Sequence, residues 1–229
     1  MDAAAKQHLK NFVKVLVTLA LVLGVIVGYR YSMYRQFYEY RYQDKDMDGV
    51  ADYMDIDMDG DGINNDEDDD ANGNETPNLD EILNAMNELA QANYSGLPFG
   101  EFMKGFMKTM RFFDNVDAVL IPYEKAGIYL GLEPGVSGPG SINSAMDLYN
   151  FIESHGRFYK IGRRSDFPAI GDIAFFGPDF CALVAQVDQD TFTVVMLVCE
   201  RDTGMSLATL EKIQNNGHTL TEYGALSPQ

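Results

Sequence analysis

Residues 44–68 read DKDMDGVADYMDIDMDGDGINNDED and carry eleven acidic residues against one lysine, Lys45. Like charge at that density opposes collapse into a core, so the segment needs a neutralising partner to hold any shape. Spacing suggests the partner. Counted from Asp44, the acids Asp44, Asp46, Asp48, Asp52 and Asp55 fall at positions 1, 3, 5, 9 and 12, with Gly49 at 6 and Val50 at 7. Thirteen residues on, Asp57, Asp59, Asp61, Asn65 and Asp68 take the same places, with Gly62 at 6 and Ile63 at 7.

This is the ligand order of a calcium loop of EF-hand type. Calcium is a hard cation that takes about six to eight oxygens. Alternate residues turn carboxylates inward, the glycine allows the sharp turn, and the carbonyl of Val50 or Ile63 adds an oxygen. The last acid closes the cage. The competing reading is a solvated acidic linker, which has no reason to repeat one register. A further shift of thirteen lands on Asp70, Asn72, Asn74, Thr76, Asn78 and Glu81, with Glu75 where the glycine stood. That is a third, weaker candidate.

The tandem of 13-residue loops, without long flanking helices, resembles thrombospondin type 3 repeats. The resemblance implies a chain wrapped round a row of calcium ions with little core of its own, serving as a stiff spacer. The charge is concentrated there: residues 44–81 hold 16 acids and one base, and the remaining chain holds 19 acids and 16 bases. No basic stripe exists, so a nucleic-acid partner is not expected. Cytosolic calcium is too scarce for sites of this kind, so the repeats are expected to face outside.

The N-terminus carries no charge from Val15 to Tyr29. With Phe12, Val13 and a snorkelling Lys14 the run is 18 residues, about 27 Å of helix, enough to span a bilayer. Tyr29, Tyr31, Tyr34, Phe37, Tyr38, Tyr40 and Tyr42 suit an interfacial belt. No small-x-small cleavage site follows Gly28, so a retained signal anchor is favoured over a cleaved signal peptide. Lysines before the span and arginines after it balance, so charge does not set the orientation. Outward-facing repeats place the N-terminus in the cytoplasm and the rest in the periplasm or outside the cell.

Beyond the repeats, residues 78–94 show helical spacing, with Leu79, Ile82, Leu83, Met86, Leu89 and Ala90 on one face. Residues 101–113 give a second amphipathic helix with a Met and Phe stripe, read as core. Residues 115–131 look helical, with Pro122 inside. A loop over 132–141 precedes a fourth helix, with Ser141 as cap and Gly156 as stop. Then come a short apolar strand in FPAIGDIAFFG, a hairpin over 180–200, a helix over 206–214 and a last strand in HTLTEYG. The fold class is α+β: a transmembrane helix, calcium-binding repeats, then helices packed on a small antiparallel sheet. The domains expected are 1–43, 44–76 and 77–229.

The order EKAGI, FIESHGRFY, FPAIGDIAFFG, strand and hairpin resembles the papain-like cysteine amidases and peptidases of the CHAP type, which cut peptidoglycan peptides. The likeness runs from Asp114 onward. It implies a nucleophilic cysteine about ten residues before EKAGI, where Asn115 stands instead. It implies a histidine base at the start of the strand after GDIAFF, where Cys181 stands. The residue orienting that base would fall near Val198 or Cys199. No catalytic residue is therefore expected. His155 and His218 read as capping or surface histidines.

Cys181 and Cys199 are equidistant from residue 190, the tip of the hairpin. Opposed residues on antiparallel strands have Cα atoms ~4.5–5.5 Å apart, within disulfide range. A Cys181–Cys199 disulfide is expected, with two buried thiols as the alternative. The sequence thus describes a membrane-anchored, extracytoplasmic, calcium-binding accessory protein. It would present an inactive amidase-like domain to peptidoglycan or to other envelope proteins, alone or as a homo- or hetero-oligomer. An active peptidoglycan hydrolase with an unrecognised site, or a subunit of a membrane filament, are the alternatives.

Overall fold

A computed structural model describes residues 3–38, 43–65, 67–91, 115–130, 142, 144–161, 167–200 and 204–226. The expected helix over 101–113, the loop over 132–141 and the Ser141 cap lie outside them. The tyrosine-rich run after Tyr29 lies outside the residues whose side chains are described. The chain forms two compact units, Met1–Glu39 and Tyr40–Gln229.

The first unit is one helix, α1 (Ala3–Tyr38). Over Gln7–Tyr29, 23 residues, it is long and apolar enough to cross a membrane. At 1.5 Å per residue that segment is about 34 Å, against about 30 Å of hydrocarbon. Leu16, Leu19, Leu21, Leu23, Val25 and Val27 are all exposed. Thr18 hides its hydroxyl by donating to the Lys14 carbonyl at 2.9 Å.

The second unit is α+β. After the acidic loops come α2 (Asn78–Gln91), α3 (Asp117–Lys125) and α4 (Ala145–His155). Six strands follow: β1 (Gly156–Tyr159), β2 (Ile173–Phe175), β3 (Cys181–Asp188), β4 (Thr193–Glu200), β5 (Gly204–Thr209) and β6 (Glu222–Leu226), with α5 (Leu210–Asn215) before the last. They form one sheet in the order β1-β6-β2-β3-β4-β5, every neighbouring pair antiparallel. The expected hairpin is β3–β4, bulged between Val184 and Gln186.

Both faces of the central strands are covered. Helix α2 contacts β5, α3 contacts β3 and β4, α4 contacts β1 and β6, and α5 contacts β4 and β5. Ala182, Val184, Met196, Val198 and Tyr223 join Ile213 of α5 in one apolar cluster. Cys181, Leu183 and Leu197, which point the other way, are equally buried. Double coverage is why CALVA and VVMLVC read as unbroken apolar runs rather than alternating ones. Helix α3 is buried from Ala118 to Glu124, which makes it the central helix of the domain. Pro122 sits inside it without breaking it.

Three local expectations are corrected. The cap of α4 is Ser144, whose Oγ accepts from Asp147 N at 3.2 Å. Residues 204–209 are a strand, and the helix begins only at Leu210, capped by Thr209. Leu79, expected inward, is 46% exposed, because α2 buries Ile82, Ala85, Met86 and Leu89 instead.

The FPAIGD segment anchors the sheet. Gly171 turns at φ +90, a conformation that favours glycine. Its N–H donates to the Val184 carbonyl, and Val184 N–H returns a bond to Asp172 O, at 2.9 and 2.8 Å. The Asp172 carboxylate accepts from Ala169 N at 2.7 Å and from the Tyr159 hydroxyl. Tyr123 of α3 donates to the Gly171 carbonyl at 2.7 Å. Burial raises the Tyr159 and Tyr123 phenols far above their ordinary value, and burial followed by the Asp172 charge takes Tyr223 to about 12. Asp172→Ala leaves a buried amide and a phenol without their acceptor, so it should cost about 2–4 kcal/mol in chemical denaturation, and Tyr159→Phe about 1 kcal/mol.

Candidate metal centre

The three acidic loops are copies of one another in backbone as well as in spacing. Position 6 lies in the left-handed region in each: Gly49 at φ 97, Gly62 at φ 94 and Glu75 at φ 69. Glu75 therefore adopts the turn that glycine makes in the first two loops. Position 4 is also left-handed in each: Met47, Gly60 and Gly73 at φ 63, 73 and 54.

The hydrogen bonds repeat with the same period. The position-1 carboxylate accepts from the position-6 N–H: Gly49 to Asp44, Gly62 to Asp57 and Glu75 to Asp70, at 3.1, 2.9 and 2.7 Å. The position-5 oxygen accepts from the position-7 N–H: Val50 to Asp48, Ile63 to Asp61 and Thr76 to Asn74, at 2.7, 2.8 and 2.8 Å. In the first two loops each bond engages one oxygen of a carboxylate; in the third, Asn74 has only the one oxygen, and Asp70 also accepts from Asn74 N through its second oxygen at 3.1 Å.

The acids converge as a result. Ligand oxygens of Asp44, Asp46 and Asp48 lie within 4.8 Å of one another, and so do those of Asp57, Asp59 and Asp61. Two like charges 4.8 Å apart repel by roughly 1 kcal/mol in water and about 3.5 kcal/mol at an effective permittivity of 20. The closing acids join them. Asp55 is pushed up by burial and then by the charges of Asp48, Asp46 and Asp57. Asp59 is pushed up by burial and then by Asp61, Asp68 and Asp57. Glu81 is pushed up by burial and by Asp70, against hydrogen bonds from Asn74 and Asn72. Asp55 Oδ2 and Asp57 Oδ1 are buried with no hydrogen-bond partner. Converging hard oxygens with buried, unpartnered lone pairs are a donor set that fits a divalent cation such as calcium.

Position 9 has a different duty from the one its spacing suggests. Asp52, Asn65 and Asn78 each accept, through Oδ1, from the position-2 N–H of their own loop, Lys45, Met58 and Ala71, at 2.9, 2.9 and 3.0 Å. Asn65 and Asn78 also donate to the carbonyls of Asp55 and Asp68, both at 2.8 Å. Asn65 and Asn78 thereby tie each loop to the one before it, whereas Asp52 is buried within its own loop.

Gly60 and Gly73 are residues whose role the ligand pattern does not disclose. A Cβ on Gly60 would lie 2.9 Å from Asp46 Cβ, and one on Gly73 would lie 2.6 Å from Asp59 Cβ. Each loop thus packs its position 4 against position 3 of the loop before it. Met47 is tolerated because it belongs to the first loop. The signal was present in the sequence as glycines 13 residues apart.

A second constellation lies at the start of β3. Asn115, just before α3, meets Cys181: Oδ1 is 3.3 Å from Sγ and 3.4 Å from Cys181 N. Asn115 Nδ2 donates to Asp179 O at 3.0 Å. Burial, then the charge of Asp117, raises the Cys181 thiol far above its ordinary value, which favours the protonated form. The expected Cys181–Cys199 disulfide is not formed; both thiols are buried and unbridged. The β3–β4 pairing begins at Leu183↔Leu197. Beyond it Cys181 pairs with Phe175 of β2, and Cys199 with Met205 of β5. His155 stacks on Phe151 and His218 on Phe180, with centroids 4.4 and 4.0 Å apart.

Comparison with protein-family models, with curated proteins and with solved structures returned no match.

Two outcomes follow from this geometry. Gly73→Ala adds left-handed strain and a clash, so it should lower the stability of the protein by about 2–4 kcal/mol, whereas Met47→Gly should shift it by less than about 1 kcal/mol. Both thiols should resist alkylation at neutral pH in the folded protein, and both should label after denaturation without reductant, as counted by mass spectrometry.

Proposed function

We propose that this chain is a membrane-anchored, extracytoplasmic calcium-binding structural protein. Its repeats form a calcium-stiffened neck that resembles thrombospondin type 3 repeats. The neck presents a catalytically silent domain, resembling CHAP-type amidases, to peptidoglycan or to an envelope protein complex. The observation that carries the reading is the threefold recurrence of one loop, with acids converging within 4.8 Å in the first two. Asp44, Asp46, Asp48 and Asp55 would hold one ion, and Asp57, Asp59, Asp61 and Asp68 another, helped by the carbonyls of Val50 and Ile63.

The apolar α1 supports the anchor, since 23 residues suffice to span. Meeting side chains support the silent-domain reading. Asn115 stands before a helix where the resembled family keeps its nucleophile, and Cys181 opens the strand where that family keeps its base. The two touch at 3.3 Å, yet an amide and a buried thiol supply neither a thiolate nor a base.

At millimolar calcium and a site affinity of ~10⁻⁵ to 10⁻⁴ M, each ion would add roughly 1.5–3 kcal/mol by mass action. Limited proteolysis of the detergent-extracted protein tests this. Cleavage within 44–68 should fall at least tenfold between chelator and 1 mM calcium, with a midpoint in that affinity range. Equal cutting in both buffers would remove the basis of the proposal.

A further inference from the structure

The third loop meets the sheet domain through its own side chains, beside Met58 of the second loop. Glu81, its position 12, lies in the first turn of α2. Asn72 Nδ2 donates to Glu81 Oε2 at 2.5 Å and to the carbonyl of Lys125, the last residue of α3, at 3.3 Å. Asn74 Nδ2 meets the other oxygen, Glu81 Oε1, at 2.5 Å. Gly127, just past α3, lies against the repeats: a Cβ there would be 3.1 Å from Met58 Cε and 3.2 Å from the backbone of Ala71. Lys125 Nζ pairs with Glu88 of α2 at 2.5 Å. The third loop, α2 and the end of α3 thus form one corner, with a cavity of about 520 Å³ lined by Asn72, Asn74, Glu81 and Lys125 among others.

One atom in that corner is out of balance. Asn72 is 7% exposed, and its Oδ1 has no hydrogen-bond partner. A buried oxygen in that state is costly unless something electropositive meets it. Amide nitrogens of Asn72 and Asn74 cover both oxygens of Glu81, and the nearby Lys125 ammonium is paired with Glu88, so Asn72 Oδ1 is left unmet. Asp70, Asn72, Asn74 and Glu81 occupy the positions that in the first two loops bring acids together.

We propose that the third loop holds its own calcium ion, through Asp70, Asn72, Asn74 and Glu81, and that this ion latches the repeats to the sheet domain at the α2–α3 corner. The proposal rests on the calcium reading given above and extends it to regulation. The first two cages offer four carboxylates each, and this one offers two carboxylates and two amides. Affinity in such loops follows ligand charge, so the third ion is the weakest and leaves first as calcium falls. The neck stays stiff while its joint to the domain loosens.

The test uses the full chain in detergent. Calcium stoichiometry is measured by equilibrium dialysis, and amide exchange is followed at Ala126, Gly127 and Ile128, whose N–H groups bond back to Tyr123 and Glu124. The expected result is three ions per chain, the weakest binding in step with at least tenfold slower exchange at those amides. Glu81→Gln and, separately, Asp70→Asn should each lose that ion and that slowing. They should keep two tighter ions and unchanged exchange in β3 and β4, which shows that the domain still folds. Two ions in the unaltered protein, or three ions with no change at the corner, would overturn the latch while leaving the calcium-binding neck intact. No bound ion at all would overturn both.

Discussion

Repulsion between carboxylates is the constraint on which the rest of the second unit depends. The loops hold their acids together with main-chain N–H groups aimed at one oxygen of each side chain, which orients the other oxygen inward without neutralising it. Such an arrangement is self-consistent in shape and unbalanced in charge. A bound cation, as proposed above, would resolve the imbalance and let the shape persist without an apolar core of its own. Met47, Ile56 and Ile63 are exposed, and the two apolar side chains that are buried, Met58 and Ala71, both lie against Gly127 at the α3 corner.

The sheet domain has the opposite logic. Its central strands are apolar on both faces, and α3 is buried from Ala118 to Glu124. Asp172 serves the turn at Gly171 and the phenol of Tyr159 rather than any reaction. The Gly-Asp pair in FPAIGD therefore has a structural reason to exist, whether or not a domain of this shape performs catalysis.

How much of this was legible depends on how many solutions a residue pattern admits. A repeat of thirteen with oxygen, glycine and aliphatic residues in register admits very few, and the loops were readable from it. Position 9 was not, because an Asn or Asp oxygen serves equally as a metal ligand or as an acceptor for an N–H seven residues back, and spacing is blind to the difference. Glu75 argued against a third turn of the same kind, since a non-glycine residue pays for φ 69; its N–H bond to Asp70 helps to hold it there. The hairpin was readable from two apolar runs around DQD. Strand β5 was not, because the Leu210–Asn215 helix follows without a break and its periodicity spreads backwards over Gly204–Thr209. Strand β1 is four residues long and follows α4 directly, so Gly156 looked like a helix stop and nothing more. The disulfide failed for a topological reason: each cysteine lies past the end of the shared ladder and is paired with a different neighbour.

Strand β6 lies between β1 and β2, pairing Leu226 with Gly156 and Glu222 with Phe175. It is thus a wedge supplied late in synthesis to a place prepared early. Until residues 222–226 emerge, β1 has no neighbour and the exposed side of β2 is an open edge, a state in which another copy's strand could dock. Pairing across some seventy residues is also slow to nucleate. The sheet is therefore completed only when its last strand arrives, and β1 and β2 wait as unpaired edges until then.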